Sequence, residues 1–405
     1  MKFERLGNIV NIKKGKKPNF TENPNSDSVR VLQIDDLRND NNLKFTNNKS
    51  GVFACKEDVL LVWDGANAGT VGHGKEGYIG STIALLSKKE PEKYSTTFIG
   101  LFLQSKFNYL RSKTTGATIP HIDGKVLRDL GIPILPYQTQ LHIANILTKA
   151  ESLIAQRKES ISLLDEYLKS VFLEMFGDPL ENPKNFEIKT LKDFYINPKE
   201  GTKCGPFGSA LKKHEYTSSG VPVWNMDNIS VDGNFVSNIN LFITEEKYSQ
   251  LSAYSTFDGD IIISRAGTVG KMCVLKSGFD KSIISTNLIR VRLNTKLLLS
   301  VHFVSLMKYC KNRMARLRTG SDDTFTHMNT GILDSLKFPV PPLELQTKFA
   351  QIVEKTEALK AQYQQSLQGL ENLYGSLSQK AFKGELNFKD ESLLMAAEPE
   401  TKYGV

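Results

Sequence analysis

Gly69-Thr70-Val71-Gly72-His73-Gly74-Lys75 sets glycines and a lysine at the spacing of a phosphate-cradling loop. Glu76 stands where such a loop needs Ser or Thr for Mg²⁺, so the match lacks its metal-binding hydroxyl. Gly72-His73-Gly74-Lys75-Glu76-Gly77 also fits a dinucleotide-binding pattern. The residues after it, Tyr78-Ile79-Gly80-Ser81-Thr82-Ile83, read as turn and strand rather than the helix that pattern requires. His121 and His327 follow Gly116 and Gly320 at equivalent places. They admit three roles: a duplicated catalytic base, a polar contact to base or phosphate, or a structural hydrogen bond. Cys55, Cys204, Cys273 and Cys310 are far apart, with no CxxC and no histidine at zinc spacing, and read as reduced thiols. The chain has no Asn/Asp-Pro-Pro-aromatic box of the kind amino-methyltransferases use to hold a base, and no carboxylate cluster like a nuclease metal site. No catalytic residue, metal or cofactor is expected.

The remaining candidates bind rather than react. Lys308, Lys311, Arg313, Arg316 and Arg318 lead into Thr319-Gly320, and Lys106, Arg111 and Lys113 lead into Thr114-Thr115-Gly116. Basic side chains neutralise phosphates without reading sequence. Both stretches also suit solvated helix faces, and Lys13-Lys14-Gly15-Lys16-Lys17 reads as a basic loop. Asn67 beside Gly69-Thr70 and Arg265 beside Gly267-Thr268 read as equivalent loop tips whose side chains can reach base edges. The DNA-contact candidates are therefore Asn67, Thr70, Arg111, Lys113, His121, Arg265, Thr268, Lys311, Arg313, Arg316, Arg318 and His327.

Charge placement agrees with a polyanionic partner. The net charge is +8. Residues 1–136 carry 20 Lys and Arg against 14 Asp and Glu, and residues 177–342 carry 21 against 16. The excess thus sits on two separate bodies. With 405 residues, 40% hydrophobic and 24% charged, the chain is a multidomain globular protein. Its apolar stretches are too short to span a bilayer, and Met1-Lys2-Phe3-Glu4-Arg5 lacks the apolar core of a signal peptide. The expected setting is the cytoplasm.

The elements that must position these residues come in two copies. Gly69-Thr70-Val71-Gly72 matches Gly267-Thr268-Val269-Gly270 at an offset of 198. Val31 to Asp35 lies against Val223 to Asp227 at 192, Asp58 to Leu61 against Asp260 to Ile263 at 202, and Ser81-Thr82 against Ser285-Thr286 at 204. Thr118, His121, Pro133, Pro136 and Gln140 match Thr324, His327, Pro339, Pro342 and Gln346, all at 206. Collinear matches over such a length mean duplication.

Each copy opens with short β-branched runs between Gly, Asn, Asp and Pro, an α+β unit. Each then changes to a helical rhythm. Leu147, Ala150, Ile154, Arg157, Ile161, Leu164, Leu168, Val171 and Met175 keep a 3-4 spacing. Ile352, Thr356, Leu359, Tyr363, Leu367, Leu370, Leu373 and Leu377 nearly do the same. A narrow seam at heptad spacing is a coiled-coil signature, and a helix of about 40 residues is roughly 60 Å long. The expected fold class is α+β: two pseudo-symmetric globular domains separated by a long antiparallel two-helix coiled coil. The expected boundaries are 1–136, helix 137–176, 177–342, helix 343–383, and a tail of 384–405.

This plan resembles the specificity subunit of type I restriction-modification enzymes. The residues that carry the resemblance are Gly259 to Gly270, the Pro-Pro-Leu-Glu-Leu-Gln run at Pro341–Gln346, Met175-Phe176-Gly177-Asp178-Pro179, and Gln379 to Leu386. The resemblance implies two target recognition domains that each read half of a bipartite site in double-stranded DNA. It implies helices that space those domains and dock two methyltransferase subunits, with restriction/translocase subunits joining, and no membrane. The first copy departs from the pattern, because Val62-Trp63-Asp64-Gly65-Ala66-Asn67-Ala68 replaces the usual Ser-Arg approach to the Gly-Thr-Val-Gly turn. Two rivals remain on the residues alone: a coiled-coil adaptor whose globular ends bind proteins, and a stand-alone methyltransferase or nucleotide hydrolase.

Overall fold

The computed structural model describes residues 2–116, 118–207, 210–265, 269–319 and 328–386, with the backbone alone over 311–319. It divides into two compact units, Met1–Glu159 with Gln364 onward, and Ser160–Tyr363.

The first unit begins with β1 (Phe3–Arg5), the short helix α1 (Leu6–Ile9), β2 (Val10–Lys14), β3 (Val29–Leu32), β4 (Lys44–Thr46) and β5 (Phe53–Ala54). There follow β6 (Val59–Val62), β7 (Val71–His73), β8 (Gly77–Ile79), β9 (Ile83–Lys88), α2 (Thr96–Ser105), α3 (Phe107–Ser112), α4 (Gly124–Arg128) and β10 (Gly131–Pro133). The chain then enters α5 (Tyr137–Phe176). The sheets run β2-β9-β6-β7 and β4-β3-β8-β5, and β1 pairs with β10. β6 shows why its sequence is an unbroken apolar run. Val59 and Leu61 face one core with Phe98 and Phe102, while Leu60 and Val62 face another with Leu32 and Ile79. A strand covered on both faces has no polar face to alternate with. Lys13 and Lys14 lie on β2, paired with Leu85 and Ala84. The expected basic loop is therefore a strand end, extended by Gly15-Lys16-Lys17, because Val10 and Ile12 give the segment a strand's alternation.

The second unit repeats the arrangement with β11 (Glu187–Thr190), β12 (Thr202–Cys204), β13 (Val221–Trp224), β14 (Phe242–Ile243), α6 (Glu245–Gln250) and β15 (Ile261–Ser264). It continues through β16 (Met272–Val274), β17 (Ile283–Ile284), β18 (Leu288–Val291), α7 (Ser300–Thr319), α8 (Thr330–Asp334), β19 (Lys337–Val340) and α9 (Leu343–Lys383). The order β12-β18-β15-β16 reproduces β2-β9-β6-β7, and β14-β13-β17 reproduces β4-β3-β8. The parallel pair is copied too: Val31 lies opposite Tyr78, and Val223 opposite Ile283. β15 is again split between two cores, Ile261 and Ile263 facing one and Ile262 the other.

A duplicated glutamine starts each long helix. Gln140 is fully buried; its Oε1 accepts from the Ser95 amide at 2.9 Å, and its Nε2 donates to the carbonyls of Lys93 and Leu135. Gln346 does the same with the Leu299 amide at 2.8 Å and the carbonyls of Leu297 and Pro341. One side chain thereby satisfies three backbone groups and ties the start of its long helix to the loop before α2 in the first unit and before α7 in the second.

Within each unit the long helices run antiparallel. In the first, the Tyr374 hydroxyl donates to Glu151 at 2.6 Å and Lys158 meets Glu371 at 2.8 Å; in the second, Lys360 meets Asp165 at 2.6 Å. Every expected seam residue of α5, Arg157 included, is buried or half-buried. The seam of α9 differs from expectation. Leu359 and Leu373 are 36% and 50% exposed, and the seam runs through Lys360 and Tyr374 instead. Stepping four and three from Thr356 lands on Lys360, Tyr363, Leu367, Leu370, Tyr374 and Leu377, and carboxylates on α5 accept the two polar members. Reading by apolarity alone selected the neighbouring leucines.

Candidate nucleic-acid interface

In the first unit, five segments converge on the loop between β6 and β7. The hairpin closes when the Val62 amide donates to the Thr70 carbonyl and the Gly69 amide to the Val62 carbonyl, both at 2.8 Å. Gly69 has φ +95°, a conformation that calls for glycine, and a Cβ there would crowd the Phe107 ring at 3.2 Å. Arg38 Nη2 donates to Asn67 Oδ1 at 2.6 Å, and Arg111 Nη1 donates to the Ala66 carbonyl. Lys14 Nζ lies 2.6 Å from Asp64 Oδ2, and His121 Nδ1 lies 2.6 Å from Asp64 Oδ1. The His121 backbone is tied down by two hydrogen bonds to Thr115 at 2.8 and 2.9 Å.

Three cations, one carboxylate and an exposed imidazole thus surround one rigid turn. Burial pushes the Asp64 carboxyl up, but hydrogen bonds from Lys14 and His121 outweigh it and hold the group below the usual range. Asp64 is therefore an anion that orients the imidazole through Nδ1, leaving Nε2 for an outside partner. The Asp64–His121 pair has the form of an oriented base. Among the described residues no nucleophile is bonded to it, and no group of three His, Cys, Asp or Glu is placed to hold a metal.

Arg38 escaped the sequence reading. It ends a 3-10 turn, Asp35–Leu37, braced by Asp36, a buried carboxylate that accepts from the Gln33 amide and Arg30, both at 2.8 Å. The one available signal was the position of that turn directly after the repeated Val31 to Asp35 block. Of the expected contacts, the fold brings Asn67, Arg111 and His121 to the loop. Thr70 closes the hairpin through its carbonyl, and Lys113 is exposed just beyond α3. The nucleotide-loop patterns have no helix to serve them, since Val71–His73 and Gly77–Ile79 are strands.

In the second unit the equivalent hairpin closes through the Ser264 amide to the Lys271 carbonyl at 2.8 Å and the Gly270 amide to the Ser264 carbonyl at 2.9 Å. These bonds correct the sequence alignment. Gly270, not Gly267, occupies the place of Gly69, and the offset there is 201 rather than 198. The Arg265 amide donates to the Asn287 carbonyl as the Trp63 amide donates to the Thr82 carbonyl. Arg265 is thus the counterpart of Trp63, and the expected equivalence of Arg265 with Asn67 does not hold. Likewise Ser285 matches Gly80, since the Leu288 and Ile83 amides donate to them, so the two Ser-Thr pairs are one residue out of register.

The Arg265 guanidinium lies 5.2 Å from the centre of the Phe207 ring, which is 59% exposed. Its Nη1 is buried without a hydrogen-bond partner among the described residues. Lys311, Arg313, Arg316 and Arg318 lie on α7, which is kinked at Cys310, but their side chains fall outside the described residues. Thr268 and His327 lie wholly outside them.

A twofold repeat of one α+β unit, with basic and amide side chains at the hairpin of the first and Arg265 on the Phe207 ring at that of the second, has the plan of a duplicated recognition protein. A sequence model of the family described as type I restriction modification DNA specificity domain matches residues 1–163 and 183–372. The chain belongs to that family, with two copies of its domain. It is 26% identical over 374 residues to the type I restriction enzyme MjaVIII specificity subunit of Methanocaldococcus jannaschii, covering 88% of this chain and 85% of that one. It is 19% identical over 408 residues to the EcoBI specificity subunit of Escherichia coli, covering 95% and 85%. The crystal structure of the type I restriction-modification S subunit from M. genitalium superposes with a TM-score of 0.58 at 18% identity, over 94% of this chain and 96% of that one. No helix among the described residues is long and apolar enough to cross a membrane.

Proposed function

We propose that the chain is a non-catalytic subunit that reads a bipartite target in double-stranded DNA, each unit taking one half. The convergence of Lys14, Arg38, Arg111, Asn67 and His121 on one braced turn carries this reading. Cations that ring a turn neutralise phosphates, and a rigid tip between them carries amide and imidazole groups to base edges. Arg265 on its Phe207 platform plays the reading part in the second unit. Thr70, Lys113, Thr268, Lys311, Arg313, Arg316, Arg318 and His327 complete the contacts. Two methyltransferase subunits and the restriction/translocase subunits assemble on the chain in the cytoplasm and supply all the catalysis.

Exchange of residues 1–136 for the corresponding segment of another family member tests the modular reading. One half of the selected duplex sequence should change and the other remain. A change in both halves, or duplex binding insensitive to salt, would overturn it.

A further inference from the structure

His121 sits in a hydrogen-bonded ladder rather than on a free loop. The Gly65 amide donates to the Pro120 carbonyl and the Ile122 amide to the Trp63 carbonyl, both at 2.9 Å, while Thr115 holds the other edge of the His121 backbone. The main chain around the ring is therefore fixed, and the side chain is 46% exposed. Asp64 decides which ring nitrogen carries the hydrogen. Its carboxylate, held below the usual range, is ionised and only accepts, so across 2.6 Å the neutral ring must donate through Nδ1. Lys14 holds the other carboxylate oxygen at 2.6 Å and keeps that charge in place. An imidazole with its hydrogen on Nδ1 has a single lone pair in the ring plane, on Nε2, and that atom has no partner among the described residues. What His121 offers a ligand is thus an acceptor.

Phosphate oxygens are acceptors too and give such an atom nothing to bind. Base edges divide over it. In the major groove adenine N6 and cytosine N4 donate, whereas guanine O6 and thymine O4 accept. The ring is tied to the loop of the β6–β7 hairpin, and a two-stranded ribbon is an element that the major groove admits. A keto oxygen set against Nε2 leaves two acceptors facing each other and forfeits the hydrogen bond, a discrimination of about tenfold. We infer that His121 reads the first unit's half-site as a neutral acceptor, selecting an amino base, adenine or cytosine, over guanine or thymine at one position of one strand. This deepens the DNA-reading function proposed above and rests on it. His121 is the reading residue, and Asp64 positions it and sets its tautomer.

The test is selection from a randomised duplex pool by the full chain reconstituted with its methyltransferase partner, at about pH 8.5, where an ordinary histidine is neutral. The first half-site is the one that changes when residues 1–136 are exchanged. One of its positions should be restricted to adenine or cytosine, and His121→Ala should make that position indifferent. Asp64→Asn should move the hydrogen. Lys14 only donates, so it takes the new amide's oxygen and leaves the NH₂ facing Nδ1, which must then accept while Nε2 carries the hydrogen. The same position should turn to guanine or thymine. Nitrogen-15 spectra of the histidine-labelled free chain report the tautomer directly, the His121 signals being those that His121→Ala removes. They should show hydrogen on Nδ1 in the unaltered chain and on Nε2 in Asp64→Asn. The rest of the first half-site and all of the second should stay unchanged, which shows that each variant folds. Hydrogen on Nε2 in the unaltered chain, a guanine or thymine at the responding position, loss of the whole first half-site, or an Asp64→Asn variant that keeps the amino preference would overturn the inference. A selected half-site with no position answering His121→Ala would overturn it alone. A chain that selects no sequence would take the DNA-reading function down with it.

Discussion

Lys360 Nζ lies 2.6 Å from Asp165 Oδ2 across the helical seam of the second unit. The lysine is 2% exposed, and the carboxylate also has Lys308 at 3.5 Å. A lysine inside a coiled-coil seam restricts the helix register, since it needs a carboxylate opposite it. The two partners are not equivalent to remove. Asp165→Ala leaves a buried ammonium unpaired and should cost about 3 kcal/mol. Lys360→Met keeps the apolar stem and leaves Asp165 half-solvated beside Lys308, so about 1 kcal/mol or less is expected. Urea denaturation of the two variants checks this; equal losses would mean that the pair fixes nothing.

His302 is enclosed with its ring 4.6 Å from that of Phe176 and stacked at 5.6 Å on Phe172, and neither nitrogen has a hydrogen-bond partner among the described residues. Burial lowers its pKa to about 3. In the unfolded chain a histidine takes its proton near pH 6.5. Between those values the unfolded state binds a proton that the folded state refuses, so stability falls as the pH drops through that window. The slope is about 1.4 kcal/mol per pH unit, or about 2 kcal/mol lost between pH 7 and pH 5. The first copy supplies the replacement. Phe98 holds the equivalent place, three residues beyond the Ser95 amide that Gln140 caps, with its ring 5.5 Å from Phe382. His302→Phe should remove this part of the acid sensitivity, seen as a smaller difference between denaturation midpoints at pH 7 and pH 5. An unaltered difference would place the acid sensitivity elsewhere.

Arg111 and Lys113 are two residues apart but differently engaged, one bonded to the Ala66 carbonyl and the other exposed past the helix end. Lys113→Ala should weaken binding to all duplexes alike and reduce the salt slope by about one. Arg111→Ala should also blur the first half-site, since it releases the loop that carries Asn67. Binding to matched and mismatched duplexes over a salt series separates the two. If Lys113→Ala changed sequence preference, the assignment would be reversed.

How far the residues announced this arrangement depended on range. The α5 seam was legible because one period governs neighbours three and four apart. The α9 seam was misread where Lys360 and Tyr374 sit inside, because their partners, Asp165 and Glu151, are distant in the chain. The duplication was legible from collinear matches, yet identical tetrapeptides misled at the hairpin. Gly69 and Gly270 share a place because a positive φ is needed next to the closing bond, not because their neighbours match. Arg38 and His302 left no local trace. One meets Asn67 29 residues away, and the other fills a slot that only the packed aromatic cluster defines.

The same long-range logic shapes the expectation for Arg265. Its guanidinium lies over the Phe207 ring at 5.2 Å, and its backbone amide is fixed to the Asn287 carbonyl at 3.0 Å. The ring packs against the guanidinium and Nη1 is buried, which leaves the Nε–Nη2 edge to meet two acceptors side by side, as a guanine edge presents them. Arg265→Ala should therefore relax one position of the second half-site, by about tenfold in discrimination, without touching the first. Arg265→Lys keeps the charge but has neither plane nor fork, so it should restore overall affinity and not the lost preference. Phe207→Leu retains apolar bulk without the ring face, and should weaken that preference in part. Competition binding between cognate duplexes and single-position variants in each half resolves all three. If Arg265→Lys restored full discrimination, the residue would be acting as a charge on phosphate, and the reading of the second half-site would belong to other side chains.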